Sequence, residues 1–362
     1  MKNIKRTIQN IFSIPVIRNS FNVFNRVFYG LVSSNRLIAT FYFILTPLSF
    51  NRERFAFLKG RAQYYLNLET TNINNAHLRR NIHRLEKALI MEPRRSKFAL
   101  NYIGETIVFY ETILSGHNNE ALPVDVTELS WSRDVLTAYF SSVELDDTTT
   151  KLQQRFFEAG KDFPPTQEVL YVPFLRKGSP DNPVSYENML QLSMRRRSVR
   201  WFQNRKVPRK LIDQALLIGR QSPSACNRQP FEYRIFDTPE MVQEVASIPM
   251  GADGYSHNIQ SIAVLVGKQD NFFSPRDRHI IYIDTSLSAM AFMFGLETVG
   301  LSSSVINWPD FEPLEIKMQK TLGLNSHDRV IMLIAIGYAR EDGGIPYSEK
   351  KSLDSLRSYN NL

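Results

Sequence analysis

An α+β protein with a mainly helical N-terminal region is the fold class this sequence predicts, and three observations carry that expectation. Apolar residues recur at helical spacing through much of the first 160 positions; five prolines (Pro164, Pro165, Pro173, Pro180, Pro183) interrupt all periodicity; beyond them short β-branched runs alternate with helical segments. The expected division is a helical region over residues 1–162, a proline-rich linker over 163–184 and a layered domain over 185–362. A chain of 362 residues suits that division, since roughly 100–200 residues per domain is usual.

In chain order, helices are expected at Arg52–Leu68, Asn74–Met91, Lys97–Leu114 and Ser130–Phe140. The second is the clearest: Leu78, Ile82, Leu85 and Leu89 share one face, Arg79, Arg80, Arg84 and Lys87 lie elsewhere, and the pair Asn74 and Asn75 can cap it. His77 and His83 fall in it six apart, a poor helical spacing for shared metal ligation. Past the prolines, helices are expected from Ser185 to about Arg195, from Pro208, at a favoured first helical position, to about Gln221, and near Ile283–Val299 and Phe311–Leu322. Strands are expected at Phe231–Phe236, Ser261–Gly267, Ser302–Ile306 and Arg329–Tyr338.

Composition narrows the class. Apolar residues make up 43% and aromatic residues 12%, with 24 Phe and 15 Tyr, ample for a packed core. A single cysteine, Cys226, excludes an internal disulfide framework and provides no second thiolate for a metal, which fits a reducing, cytoplasmic compartment. The apolar run Leu37–Phe50 is broken by Thr40, Thr46, Pro47 and Ser49 and is shorter than the ~20 residues of a spanning helix; no signal-peptide pattern precedes it.

The net charge of +8 is unevenly placed: residues 1–100 hold 17 Lys and Arg against 4 Asp and Glu, residues 101–190 hold 6 against 14. Two readings are open: the two surfaces pair within the fold, or the basic head makes peripheral contact with an anionic membrane. The second draws on Phe21, Phe24, Phe28, Tyr29, Leu31, Phe41 and Phe43 set among Arg18, Arg26 and Arg36. No helix-turn-helix, zinc-finger or RNP pattern accompanies the charge, so nucleic acid is not an expected partner.

The chain has no P-loop, no Gly-x-Gly-x-x-Gly, no Gly-x-Ser-x-Gly and no His-Glu-x-x-His. A bound phosphate must therefore be held by side chains. Arg196, Ser198 and Arg200 alternate at a helix end, so an extended backbone there places all three on one side. Arginine's planar fork gives a phosphate two parallel charge-assisted bonds, and the serine adds a third donor. The other reading is a basic helix end that complements the helix dipole. About 25 residues on, across one helix, Pro223–Pro230 forms a turn-rich loop in which Asn227 and Gln229 each offer a donor and an acceptor, as the edge of a flavin ring requires.

With these blocks the sequence resembles the nitroreductase family of FMN-dependent oxidoreductases. The resemblance rests on Arg196-Arg197-Ser198-Val199-Arg200-Trp201-Phe202, Pro223-Ser224-Ala225-Cys226-Asn227-Arg228-Gln229-Pro230-Phe231, Gly300-Leu301-Ser302-Ser303-Ser304, and Ile336-Gly337-Tyr338 followed by Lys350-Lys351. Together they cover about Tyr186–Leu356. The segment Asn81–Lys87 is similar to an extension of nitroreductase-like proteins from bacterial polysaccharide loci.

The resemblance implies a three-layer α+β domain around a central mixed sheet, FMN as cofactor, NADH or NADPH as donor and a small-molecule electron acceptor. Arg196 and Ser198 would hold the FMN phosphate and ribityl end, with Arg200 toward the pyrimidine edge. Ser224, Ala225, Asn227 and Gln229 would line the cofactor from the partner of a homodimer, Ser304, Val305 and Asn307 would lie over the ring, and Lys350 or Lys351 would complete the phosphate site, unless that pair is merely solvated. The family's cationic or amide-bearing residue in a segment corresponding to Gly251–Asn258 has no assigned counterpart here, and Cys226 is expected to be a packing residue rather than a nucleophile. Two alternatives stand beside the nitroreductase-like reading. One is an FMN dehydrogenase acting on a carbohydrate- or peptide-linked substrate, and the other a membrane-peripheral interaction protein with a non-catalytic flavin domain.

Overall fold

The computed structural model describes residues 14–46, 50–69, 75–118, 125–163, 170–178 and 180–360. The chain falls into two compact units, Met1–Phe55 and Ala56–Leu362. The helices after residue 55 fall in the same compact unit as the sheet. Among their contacts is an Arg79 Nε hydrogen bond to the Asn227 carbonyl. Of the linker itself, residues 164–169 and 179, and with them Pro164 and Pro165, lie outside the described residues.

The first unit holds α1 (Pro15–Ser33) and α2 (Arg36–Leu45), which turn through 116° at Ser34 and Asn35. Asn35 caps α2 by accepting from the Leu37 amide. Neither helix has a buried residue, and Phe24, Leu31 and Phe41 are more than 60% exposed.

The helix α3 (Asn51–Glu69) begins in the first unit and continues into the second, which then holds α4 (Ala76–Leu89), α5 (Ile103–Asn118), α6 (Val126–Phe140) and α7 (Asp147–Ala159). Leu78, Ile82 and Leu85 of α4 are buried against Ile103, Ile107 and Tyr110 of α5, Leu136 and Tyr139 of α6 and Phe156 of α7. The expected cap of α4 differs: Asn75 is at the N-cap position without a side-chain cap bond, and Asn74 lies outside the described residues.

The remaining elements are α8 (Tyr186–Arg195), α9 (Arg209–Gly219), β1 (Phe231–Phe236), α10 (Pro239–Ala246), β2 (Ser261–Lys268), α11 (Ile280–Thr298), β3 (Ser302–Asn307), α12 (Glu312–Leu322), β4 (Asp328–Gly337) and a short α13 (Leu353–Leu356). Pro208 is the N-cap of α9 rather than its first residue, because its ψ of 129° is still extended. The sheet order is β1-β2-β4-β3. All three strand pairings are antiparallel, and the expected mixed character reduces to one parallel bridge between Ser198 and Ser303.

Strand β2 explains the three layers. Ile262, Val264 and Val266 point to one side, with Val242 and Val245 of α10 and Met318 of α12 in the same core; Ala263 and Leu265 point to the other, with Ile212 and Ala215 of α9 and Phe292 and Leu296 of α11. A strand buried on both faces reads as a continuous apolar run, as Ile262–Val266 does. α9 and α11 approach closely, since a Cβ on Gly295 would meet the Ala215 Cα at 2.8 Å. A Gly295→Ala change would have to push the helices apart.

Candidate functional site

The first motif leaves α8 at Arg196, whose φ of −60° and ψ of 114° convert helix to extended chain. The Val199 amide then donates to the Ser303 carbonyl at 3.0 Å, so the segment runs beside β3. Val199 is buried in the same core as Ile306. By the two-residue alternation of extended chain, Ser198 therefore shares the opposite face with its bridge partner Ser303 and with Val305 and Asn307, while Ser304 faces the core side.

This corner is braced by a residue the sequence reading left unassigned. Asn258 accepts the Phe202 amide at 2.7 Å through Oδ1 and donates through Nδ2 to the carbonyls of Arg200 and Tyr255. It ends the segment Gly251–Asn258, and its bonds fix the backbone at Arg200–Phe202. A lone asparagine in a Gly- and Asn-containing stretch carries no periodic signal, which is why it was not singled out. Behind it Phe202 presses on Gly337, where a Cβ would come within 2.7 Å of the ring. That contact accounts for the glycine in Ile336-Gly337-Tyr338.

Three buried polar atoms at this corner have no partner among the described residues: Arg196 Nε, Ser303 Oγ and Ser304 Oγ. An unsatisfied buried donor costs about 1–3 kcal/mol, so an anion that accepts from Arg196 and Ser303 would relieve a standing penalty. Arg200 is half-buried, with its guanidinium 5.9 Å from the Tyr255 ring centre. Glu297 sits beside the cations, 3.5 Å from Arg195 Nε. Burial raises its pKa, against the pull of Arg195 and Arg196 and of a hydrogen bond with Ser302.

The second motif has another character. Cys226, Asn227 and Gln229 all adopt positive φ, 54°, 50° and 48°, a conformation that costs a non-glycine residue on the order of 1 kcal/mol or more. The loop is held by its own bonds: Ser224 Oγ accepts the Gln229 amide, Asp284 accepts the Ala225 amide, and Gln229 Nε2 donates to Asn227 Oδ1 at 3.3 Å. Burial raises the Asp284 pKa, opposed by the Ala225 amide and by Arg228. From α4, Arg79 donates to the Asn227 carbonyl at 2.9 Å while pairing with Glu128 at 3.3 Å and lying over Trp131. Arg79 was legible only as a polar-face residue of its helix. Cys226 is a half-buried free cysteine, and its thiol makes no hydrogen bond among the described residues.

The two motifs do not meet within one chain. The loop precedes β1 at Phe231, paired to Gly267, whereas Ser303 pairs with Ile336 at the far end of β4, on the opposite edge. Three strand spacings and seven residues of rise separate these corners by roughly 25 Å. Lys350 and Lys351 are exposed; the tail before them is tied to the first corner by Arg197 Nη2, which donates to the Pro346 carbonyl at 3.1 Å.

Residues 194–252 and 255–338 match the model of the Nitroreductase family. Iodotyrosine deiodinase 1 of Mus musculus is 20% identical over 244 residues, covering 59% of this chain and 84% of that protein. A Methanothermobacter thermautotrophicus protein described as an NADH dehydrogenase/NAD(P)H nitroreductase is 24% identical over 168 residues, covering 45% and 84%. Among solved structures, an FMN-dependent nitroreductase from Clostridium difficile R20291 is 18% identical, covers 48% of this chain and all of that one, and has a TM-score of 0.42.

Proposed function

With residues 194–338 matched to the Nitroreductase family as the premise, we propose that this chain is an FMN-dependent oxidoreductase that uses NAD(P)H to reduce a small organic acceptor. The observation that carries the proposal is the unsatisfied set of Arg196 Nε and Ser303 Oγ, beside the half-buried Ser198, on a corner whose backbone is already braced. Those groups fit a phosphate and its ribityl hydroxyls. FMN, when bound, supplies hydride transfer at its N5 atom.

The chain's own residues bind and orient. Arg196 presents its fork to the phosphate and Ser198 a hydroxyl, while Arg200 places positive charge where the pyrimidine edge gains electron density. Val305 and Asn307, exposed on β3, form the floor under the ring. The mutual bond of Asn227 and Gln229 leaves the Asn227 Nδ2 donor and the Gln229 Oε1 acceptor for a ring edge. Because the loop and the phosphate corner lie at opposite ends of the sheet, the proposal includes a homodimer in which the loop of one copy completes the site of the other.

The test is purification of the full chain. A yellow protein that bleaches under anaerobic NAD(P)H and is reoxidised by a member of an acceptor panel (a nitroarene, a quinone, iodotyrosine) is the expected result. A colourless protein that takes up no FMN and oxidises no NAD(P)H overturns the reading.

For the N-terminal unit we propose peripheral contact with an anionic bilayer. Helices α1 and α2 bury none of their residues, their exposed apolar side chains alternate with Arg18, Arg26 and Arg36, and no acidic residue occurs before Glu53. Flotation with phosphatidylserine vesicles should exceed that with neutral vesicles and should fail for Arg18→Glu/Arg26→Glu/Arg36→Glu. Equal recovery on both vesicle types would refute it.

A further inference from the structure

A polar cavity of about 470 Å³ lies between α4 and the start of β1. That volume is within the range of small-molecule sites. Its charges are nearly all compensated on the spot. Arg79 pairs with Glu128 at 3.3 Å, Lys268 with Glu232 at 2.8 Å and with Asp328 at 3.1 Å, and His327 faces Asp270 at 3.8 Å. The exception is Arg228. It is only 6% exposed and lines the cavity, yet among the described residues it has no ion pair, and its Nε has no hydrogen-bond partner. Its recorded contact is with the face of Phe272, 4.8 Å from the guanidinium carbon. Burial pushes its pKa down and the nearby Arg80 adds to that, against the opposing pull of Cys226, Tyr64 and Asp277. Withdrawing an unpaired charge from water costs several kcal/mol, and a cation–π contact returns only part of it.

We infer that this cavity is a binding site for a small organic monocarboxylate, whose two coplanar oxygens pair with the Arg228 guanidinium while its apolar body fills the remaining space. A carboxylate is the matching class because it is planar, as the guanidinium fork is, and its single charge adds the least to the carboxylates already lining the cavity. A phosphate dianion would place excess negative charge beside Asp328, Asp270 and Glu232. The site also has a place relative to the first: Gln229, next to Arg228 in the chain, lines this cavity and belongs to the loop assigned to the flavin, and Arg79 reaches the loop from the other wall. The binding claim itself does not depend on flavin being bound.

The experiment is thermal unfolding and titration calorimetry of the full chain, with and without FMN, against butyrate, hexanoate and benzoate, with inorganic phosphate as the control anion. A carboxylate of the panel should raise the melting temperature at millimolar concentration. Arg228→Met and Arg228→Gln should each weaken that carboxylate at least about tenfold, as the loss of a charge-assisted bidentate pair implies. Without carboxylate both variants should melt no lower than the native chain, since they remove a buried charge that has no ion pair; that arm also reports whether each variant folds. Arg196→Ala, which strips the proposed flavin-phosphate corner, should leave carboxylate binding unchanged, so failure of the flavin reading and failure of this one are separable. Absence of a shift with every carboxylate, a shift that survives both Arg228 variants, or a shift lost in Arg196→Ala overturns the inference.

Discussion

The corner at Arg196–Arg200 and the loop at Pro223–Pro230 come from motifs that look alike on paper, each a short polar cluster after a helix, yet they are built on opposite logics. At the first, the backbone is satisfied and the side chains are not: Val199 and Phe202 are pinned through Ser303 and Asn258, while Arg196 and Ser303 hold unpaired atoms. At the second, the side chains are engaged and the backbone is strained, with three non-glycine residues at positive φ held by Ser224, Asp284 and Arg79. A rigid, unsatisfied corner can receive an anion at little reorganisation cost; a strained loop keeps its shape only while its external clamps hold.

The largest expected effect falls on the first corner. Arg196→Ala should weaken FMN by about 30- to 100-fold, corresponding to roughly 2–3 kcal/mol for charge-assisted bonds to a phosphate, with little change in melting temperature. Fluorescence titration of FMN checks it. Because the native Arg196 Nε is unpaired, the substitution removes no hydrogen bond at that atom. A large fall in stability with unchanged FMN affinity would erase the contrast between the corners.

Acid should act on the second corner. His77 of α4 is buried, two residues from Arg79, with its Nε2 3.2 Å from the Tyr64 carbonyl and its ring 4.1 Å from that of Tyr64. Burial lowers its pKa to about 4, partly offset by the bond to Tyr64 and reinforced by Arg80 and Arg228. A depressed histidine pKa means that the unfolded chain binds the proton first. Its contribution to stability is therefore complete above about pH 6.5 and is lost as the pH falls from there to about 4. After allowance for screening, the loss is on the order of 2 kcal/mol. His77→Gln should flatten the pH dependence of the melting temperature over that window, and hydrogen exchange should show α4 and the loop losing protection before β3 and the Arg196 corner. Uniform loss of protection would count against separate supports.

Removing the clamp itself should do less to global stability. Arg79→Met keeps the aliphatic stem but deletes the bond to the Asn227 carbonyl and strands Glu128. We expect about 1.5 kcal/mol of destabilisation and faster amide exchange at Cys226–Gln229, with FMN affinity falling less than in Arg196→Ala.

How much of this was legible depended on whether a signal was periodic. All four strands were visible because β2 and β4 are buried on both faces and read as apolar runs, and α4 because Leu78, Ile82 and Leu85 repeat at helical spacing. Helix α7 was missed: it buries only Thr149 and Phe156, and its capping box uses Asp146 with Thr149 instead of a glutamate. Helix α10, eight residues starting at Pro239, is too short to show a period. The first corner was readable because Arg-x-Ser-x-Arg is contiguous. Asn258, Arg79 and the unpaired Arg228 were not, since each gains its meaning from a neighbour more than 40 positions away.

The smallest effect is the sharpest test of strain in the loop. Cys226 has φ 54° and ψ 32°, a left-handed conformation that glycine adopts without steric cost. Its side chain is half-buried, so Cys226→Gly gives up little packing. Glycine also gains freedom in the unfolded chain, which opposes the relief of strain. The balance of about 1 kcal/mol of strain against about 0.5 kcal/mol of entropy leaves a stabilisation of roughly 0.5 kcal/mol. Cys226→Ala, which keeps the Cβ and therefore the strain, should give none of it. Chemical denaturation of the two variants side by side reads the difference, and a Cys226→Gly protein less stable than Cys226→Ala would mean that the loop accommodates its left-handed residues without strain. The contrast with the first corner would then rest on Arg79 and Asp284 alone.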